Sequence, residues 1–322
     1  MPCSKKFRSA PRFASKTALF VTILLAISTA IGSPALANES PESIAEMDQR
    51  VLAISQRLTV RNTHRCAETM PAVGLQLHSR DQYSRSTQDR LSELFPGDGL
   101  LGAQTVLSGG AANAAGLPQG ATILSINGWT PALTPDRQVR LVAHDHLASL
   151  PVDAPVAIRW TLGDGEKTAM ILPVAACRVL VELVQSDKRF ARSSGPIIQV
   201  SSKFVSMLDD NQLAAVLAHE LAHTVLKHRK QMEEAGVKSG LFSELGKSGR
   251  LRREAEIEAD RVSLHLLKDA GYDPAVGPEF WRSKAGKRAS RGLFRSRKYP
   301  SASKRAKLMD EELARMSQND ID

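Results

Sequence analysis

The spacing of apolar residues changes twice along the chain. Ile44, Met47, Val51, Ile54 and Leu58 step by three and four, which predicts one amphipathic helix over residues 40–65. From about Cys66 to Cys177 the texture turns to Gly, Pro and Ala with short β-like runs. These are Val73–Leu77, Gln104–Leu107, Thr122–Ile126, Val156–Leu162 and Thr168–Pro173. Gly163-Asp164-Gly165 is a hairpin turn signal between the last two. Residues 134–149 form the one long helical stretch in this region. Beyond Cys177, a strand pair (Val179–Val184 and Ile197–Ser201) leads into helices with long stripes of Leu, Val and Ala. The expected class is α+β, divided as 1–37, 38–65, 66–177 and 178–322.

At 322 residues, 42% hydrophobic and 24% charged, the chain can build two ordinary globular cores. Its net charge of +9 invites a nucleic-acid reading. That reading weakens once residues 1–37 are examined, because they hold Lys5, Lys6, Arg8, Arg12 and Lys16 and no acid. A basic start, the apolar run Thr17–Ile31, the breaker Gly32-Ser33-Pro34 and the small-residue site Ala35-Leu36-Ala37 read as a cleaved signal peptide. The remaining excess of +4 does not argue for a nucleic-acid partner. The expected location is periplasmic or secreted, with a soluble mature chain. Cys66 and Cys177 then remain in an oxidising compartment, where a disulfide between them is expected. Two buried thiols are the alternative.

The chemistry concentrates in the C-terminal part. Asp209 is placed to cap a helix, with Gln212 at its third position. Leu213, Leu217, Leu221 and Val225 then form a buried stripe. His219 and His223 are four apart, so both imidazoles leave one side of that helix, as two ligands of a tetrahedral zinc require. Glu220 lies about 100° further round, where it can reach an attacking water without binding the metal. Chance placement of two core histidines is the bland alternative. Leu226 and Arg229 stand where a metzincin needs Gly and His, which excludes that class. Downstream, Glu256 and Asp260 share one face of a second helix that ends at Gly271. One carboxylate can bind the metal while the other holds a ligand imidazole. A solvated acidic face is the alternative there.

Two resemblances follow from these residues. The segment Ser108-Gly109-Gly110-Ala111-Ala112-Asn113-Ala114-Ala115-Gly116-Leu117, followed by Gly120 to Gly128, resembles the core of a PDZ domain, with Ala121 in place of the usual Asp. The resemblance implies a peptide groove between the strand Val73–Leu77 and the helix near 134–149, with 78–98 as an insertion. His144 and His146 on that helix are expected at the surface rather than as ligands.

The second resemblance rests on His219-Glu220-Leu221-Ala222-His223, followed by Glu256-Ile257-Glu258-Ala259-Asp260. It is similar to the gluzincin metallopeptidases of the CAAX-prenyl-protease/HtpX/BepA/LoiP family, over about residues 178–310. His228, five residues past His223, also matches. This implies one zinc ion per chain, held by His219, His223 and Glu256. Glu220 would be the general base and Asp260 the acid behind the ligands. Arg305 and Tyr299 are the expected oxyanion donors, with Tyr299-Pro300 standing where the family has His-Pro. Arg189-Phe190-Ala191 and Ser194-Gly195 depart from the family's pattern at the strand beside the substrate.

The resulting expectation is a zinc endopeptidase acting on misfolded envelope proteins, with the PDZ-like part binding substrate segments or regulating access. The rival is a PDZ-type peptide-binding adaptor with a structural or inactive zinc site. Arg282 to Lys307 holds eleven Lys or Arg and no acid, which suits an anionic membrane surface or an acidic substrate.

Overall fold

The computed structural model describes residues 41–83, 99–163, 165–237, 246–290 and 300–319. The signal segment, most of the expected insertion at 78–98, and Tyr299 lie outside the described residues. The class is α+β, as expected, and the apolar side chains sort into two cores.

Helix α1 (Pro41–Arg61) follows the predicted stripe, with Met47, Val51, Ile54 and Leu58 buried. These residues do not pack on the segment that follows them in sequence. They join Leu213, Leu217 and Leu221 in the core of the C-terminal part. Arg57 fixes the docking, its Nε and Nη2 donating to the carbonyls of Ala270 and Gly271 at 2.6 and 2.7 Å. Those carbonyls would otherwise be left open at a helix end. Asn62 Nδ2 donates to Leu266 O at 3.0 Å. The expected N-terminal appendage is therefore a wall of the distant core.

The β-rich part comprises β1 (Thr69–Ala72), β2 (Leu75–Ser79), β3 (Leu101–Val106), the short α2 (Ala111–Ala114), β4 (Thr122–Ile126), α3 (Val139–Ala148), β5 (Val156–Thr161), β6 (Glu166–Ile171) and β7 (Val174–Cys177). Five strands form an antiparallel sheet in the order β2-β3-β4-β5-β6, so β2 is an edge. Its core is built from residues such as Leu101, Ile123, Ile126, Val139, Ile158 and Ile171. The β5–β6 hairpin pairs Thr161 with Glu166, and Gly163 and Gly165 supply the positive φ values the turn needs.

Three expectations change here. The run Val73–Leu77 is not one strand, because Gly74 turns the chain at φ 72° between β1 and β2. The carbonyls of Val73 and Gly74 accept from Ala112 N and Leu107 N at 2.8 and 2.9 Å, which uses the turn to seat α2. The helix expected at 134–149 begins only at Val139. Its first amides are satisfied by the end of β2: Val139 N donates to Asp81 Oδ2 at 3.0 Å and Arg140 N to Ser79 Oγ at 3.2 Å. His144 and His146 are half-buried rather than on the surface. His146 stacks on Trp129 with ring centres 5.4 Å apart, and its Nε2 lies 2.9 Å from Ile126 O. Burial pushes the His144 imidazole down to about 4.

β1 and β7 pair antiparallel, bringing entry and exit of the β-rich part together. Beside them Cys66 and Cys177 form a disulfide with Cα atoms 5.5 Å apart, closing a separation of 111 residues. A loop of that length is worth about 4–5 kcal/mol in the chain-entropy picture.

The C-terminal part opens with β8 (Leu180–Val184), β9 (Ala191–Ser193) and β10 (Ile197–Ser201). The expected strand pair is a three-stranded sheet in the order β8-β10-β9, with β8 parallel and β9 antiparallel to β10. The short β9 carries no periodic pattern, was expected only through the resemblance as the strand beside the substrate, and forms the edge. Helices α4 (Ser202–Val205), α5 (Asp210–Val225), α6 (His228–Glu234), α7 (Gly246–Asp269), α8 (Val276–Arg282), α9 (Lys284–Ala289) and α10 (Ala302–Asn319) follow. Gly277 lets α8 lie against α7 and α10, since a Cβ there would meet Leu264 Cδ2 and Met309 Cε at 2.6 Å. Among the described residues, no helix is long and apolar enough to cross a membrane.

Polar contacts join the two parts. Arg140 of α3 pairs with Glu182 of β8, whose second oxygen accepts from Gln199 Nε2 of β10 at 2.6 Å. Asp48 of α1 accepts from Gln104 Nε2 of β3.

Candidate metal centre

Helix α5 starts as its sequence dictates, with Asp209 Oδ1 accepting from Gln212 N at 2.8 Å. Its buried stripe of Leu213, Leu217 and Leu221 fixes the rotation that turns His219, Glu220 and His223 toward α7. Helix α7 ends in the expected way: Gly271 adopts φ 71° and Tyr272 N donates to Leu267 O at 2.9 Å. Its face carries Glu256 and Asp260 against α5.

The three expected ligands converge. His219 Nε2 and His223 Nε2 are 3.2 Å apart. Each lies 3.7 Å from an oxygen of Glu256. A tetrahedral zinc with bonds of about 2.0–2.1 Å holds its ligand atoms roughly 3.3–3.4 Å apart, so this triangle has the size the ion needs. Two imidazoles and one carboxylate are also the donor set that leaves a fourth position open for chemistry. The residues fit one zinc ion.

Each imidazole is held from behind. His219 Nδ1 lies 3.2 Å from Asp260 Oδ1, which directs Nε2 at the metal position. Arg305 of α10 clamps Asp260 through Nε and Nη2, both at 2.6 Å, and its Nη1 lies 3.2 Å from Glu256 Oε2. The guanidinium is 2% exposed and lies 3.7 Å over the Trp281 ring. His223 Nδ1 lies 2.8 Å from His228 Nδ1, and His228 Nε2 lies 3.3 Å from Glu258 Oε2. Lys227 makes this possible, because its left-handed conformation (φ 54°) turns the chain between α5 and α6. His228 thus supports His223 as Asp260 supports His219. The sequence carried a signal for it only as a third His five residues downstream, and no signal at all for Glu258.

Electrostatics follow from burial and pairing. Burial pushes the Glu220 carboxyl up to about 7, and the backbone amide of Ser193 on β9 opposes that rise. Burial alone would raise Glu256 and Asp260 too. The His219 hydrogen bond and the Arg305 charge outweigh it and hold both carboxyls below the usual range. Burial likewise opposes a charged His219, yet its hydrogen bonds to Asp260 and Glu256 carry it up to about 9. Burial and the neighbouring His219 push His223 down to about 3.

The ligands form part of the wall of a cleft of about 850 Å³ that runs along β9 and is also lined by Glu220, Asp260 and Arg305. All the site residues expected from sequence meet here except Tyr299, which lies outside the described residues.

Residues 182–248 match Peptidase family M48. The chain is 30% identical over 142 residues to the mitochondrial metalloendopeptidase OMA1 of Arabidopsis thaliana, covering 37% of this chain and 28% of that protein. It is 24% identical over 128 residues to the beta-barrel assembly-enhancing protease of Escherichia coli (strain K12), covering 30% of this chain and 26% of that protein. The chain thus spans little more than a quarter of the length of these relatives. A solved PDZ domain of HtrA3, bound to a phage-derived ligand, aligns over 34% of this chain and 89% of its own, with 15% identity and a TM-score of 0.26.

Proposed function

Proceeding from a peptidase family M48 segment at residues 182–248, we propose that this chain is a zinc-dependent endopeptidase. The observation that carries the reading is the triangle of His219, His223 and Glu256, with the buried Glu220 next to it on α5. A zinc ion held by those three residues supplies Lewis acidity that polarises the scissile carbonyl and acidifies water. Glu220, raised toward neutrality by burial, takes the proton from the attacking water and returns it to the leaving amine. Asp260 and His228 keep the two imidazoles oriented. Arg305 holds Asp260 and Glu256, and the family resemblance assigns it and Tyr299 to the developing oxyanion. An extended substrate segment adds to the edge of β9.

The β-rich part captures extended or C-terminal substrate segments between β2 and α3, or regulates access. The chain is exported, and its substrates are misfolded envelope proteins. This rests on the signal-like residues 1–37 and on the resemblance of the zincin motif to the periplasmic proteases of the family. The basic stretch 282–307 adds a peripheral contact with anionic membrane, although two of its bases are engaged inside the protein: Arg282 pairs with Asp310 and Arg305 with Asp260.

Casein digestion with and without a chelator, paired with metal analysis, tests the reading. Glu220→Gln should retain about one zinc per chain and lose hydrolysis by at least roughly 10²–10⁴-fold. Zinc-loaded wild-type protein that binds peptides but cleaves none would favour the adaptor instead.

A further inference from the structure

Cations are distributed unevenly over this protein. Several of those away from the cleft are paired with acids: Arg50 with Asp210, Arg65 with Asp269, Arg137 with Asp145, Arg178 with Glu68 and Arg282 with Asp310. Around the cleft the pattern inverts. Lys188, Arg189, Arg192, Lys203, Arg229 and Arg288 all line it and are all exposed. Of these, Arg229 alone has a carboxylate partner among the described residues, Glu233 on its own helix. Arg192 is held in place on β9 by a neutral group, its Nε and Nη2 donating to Gln199 Oε1 at 3.0 and 2.6 Å. Apart from the carboxylates at the metal centre, Asp187 is the acid in the lining among the described residues.

Apart from Arg305, which is taken up by Asp260 and Glu256, Arg252 is the lining cation on the helix that carries Glu256. It lies four residues before Glu256 on α7, one turn and about 6 Å along the axis, on the same face. Its Nε is buried with no hydrogen-bond partner, as are those of Arg253 and Arg261 on the same helix, but of these three Arg252 alone lines the cleft. A buried guanidinium nitrogen without an acceptor is costly unless a ligand supplies one. A cleft lined by one sign of charge over low-dielectric walls also concentrates ligands of the other sign.

We propose that this cleft selects acidic polypeptide segments, with Arg252 receiving an Asp or Glu side chain beside the cleaved bond and the exposed rim steering the flanking acids. Lys188, Arg189 and Arg192, on the approach to β9 and on the strand itself, lie along the path of a segment added to that edge. Arg288 and Arg229 stand on other elements of the rim. The inference rests on the peptidase reading above.

Quenched fluorescent peptides sharing one apolar core and flanked by Glu, Gln or Lys separate the two. With zinc-loaded wild-type protein, kcat/KM is expected to fall from Glu to Gln by at least tenfold at low salt, and further to Lys. The ratio should shrink as salt rises. Arg252→Gln should narrow the Glu-to-Gln ratio at least threefold, while Arg252→Lys restores much of it. Fluorescence anisotropy of the same peptides on metal-free Glu220→Gln protein reads selection without catalysis, and tighter binding of the Glu peptide by at least fivefold is expected. Charge-selective binding without any cleavage would keep the proposal and defeat the peptidase reading. Cleavage or binding indifferent to the flanks, or favouring Lys, overturns the proposal and leaves the peptidase reading intact.

Discussion

Two buried clusters of charge among the described residues differ in how far their acceptors are already taken. At the joint between the β-rich part and the C-terminal part, Glu182 accepts from Arg140 on one oxygen and from Gln199 on the other. Side-chain exposures of 8% and 14% for Glu182 and Arg140 leave little room for water. Both carboxylate oxygens are taken, although Arg140 Nε is left without a partner. At the metal centre Asp260 is equally well satisfied by Arg305. Two imidazole nitrogens and a Glu256 carboxylate nevertheless converge on one point, as the ligands of a metal ion do. A closed cluster holds parts together, whereas a convergent one is built for a guest.

Three changes test that contrast. The largest effect is expected at Glu256. Glu256→Gln keeps the volume but removes the charge that completes the triangle, so zinc content should drop from about one per chain to near zero and hydrolysis with it. Atomic absorption and casein digestion read both. Glu182→Ala at the joint leaves Arg140 largely buried without its carboxylate and should destabilise the fold by about 3 kcal/mol. Thermal unfolding measures that loss, while zinc content of the protein that remains folded should stay unchanged. A matching loss of zinc would mean that the two clusters are not separable in the way drawn here.

An effect that shows only as a pH dependence concerns Asp48, the second acid at the joint. Burial pushes its carboxyl up to about 7, against the hydrogen bond from Gln104. The folded state then holds a proton that the unfolded chain releases near the model-peptide value of 3.8. Its contribution to stability is fully present below about pH 4 and is lost as pH rises through about 7. Asp48→Asn keeps an acceptor for Gln104 and removes this titration. Relative to wild type, the variant should gain stability between pH 4 and 7, by up to a few kcal/mol. Denaturant unfolding at several pH values reads the difference, and parallel curves would exclude the buried titration.

Much of the metal centre was legible because its information is local. Four-residue spacing on α5 and on α7 fixes which side chains share a face, whatever surrounds the helix. The cap at Asp209 and the stop at Gly271 are likewise decided by neighbours in sequence. His228 was visible only as a spacing, because its role depends on the left-handed turn at Lys227 that brings it back to His223. The strand β9, at Ala191–Ser193, is too short to leave a periodic pattern, and its pairing partners lie on β10. The break at Gly74 was missed for a related reason, since the turn exists to seat Ala112 and Leu107, more than thirty residues away.

By itself the sequence determined the amphipathic faces, the hairpin turn, the paired histidines with their glutamate, and the acids one turn apart on a second helix. These follow from backbone periods and local hydrogen bonds. The tertiary structure decided that α1 walls the distant core, that Arg305 closes on Asp260 across 45 residues of sequence, and that Arg140 ties α3 to the sheet bearing β9. It also gathered scattered cations around one cleft. Such contacts depend on how faces dock, and an apolar stripe states that a helix will be buried without stating against what.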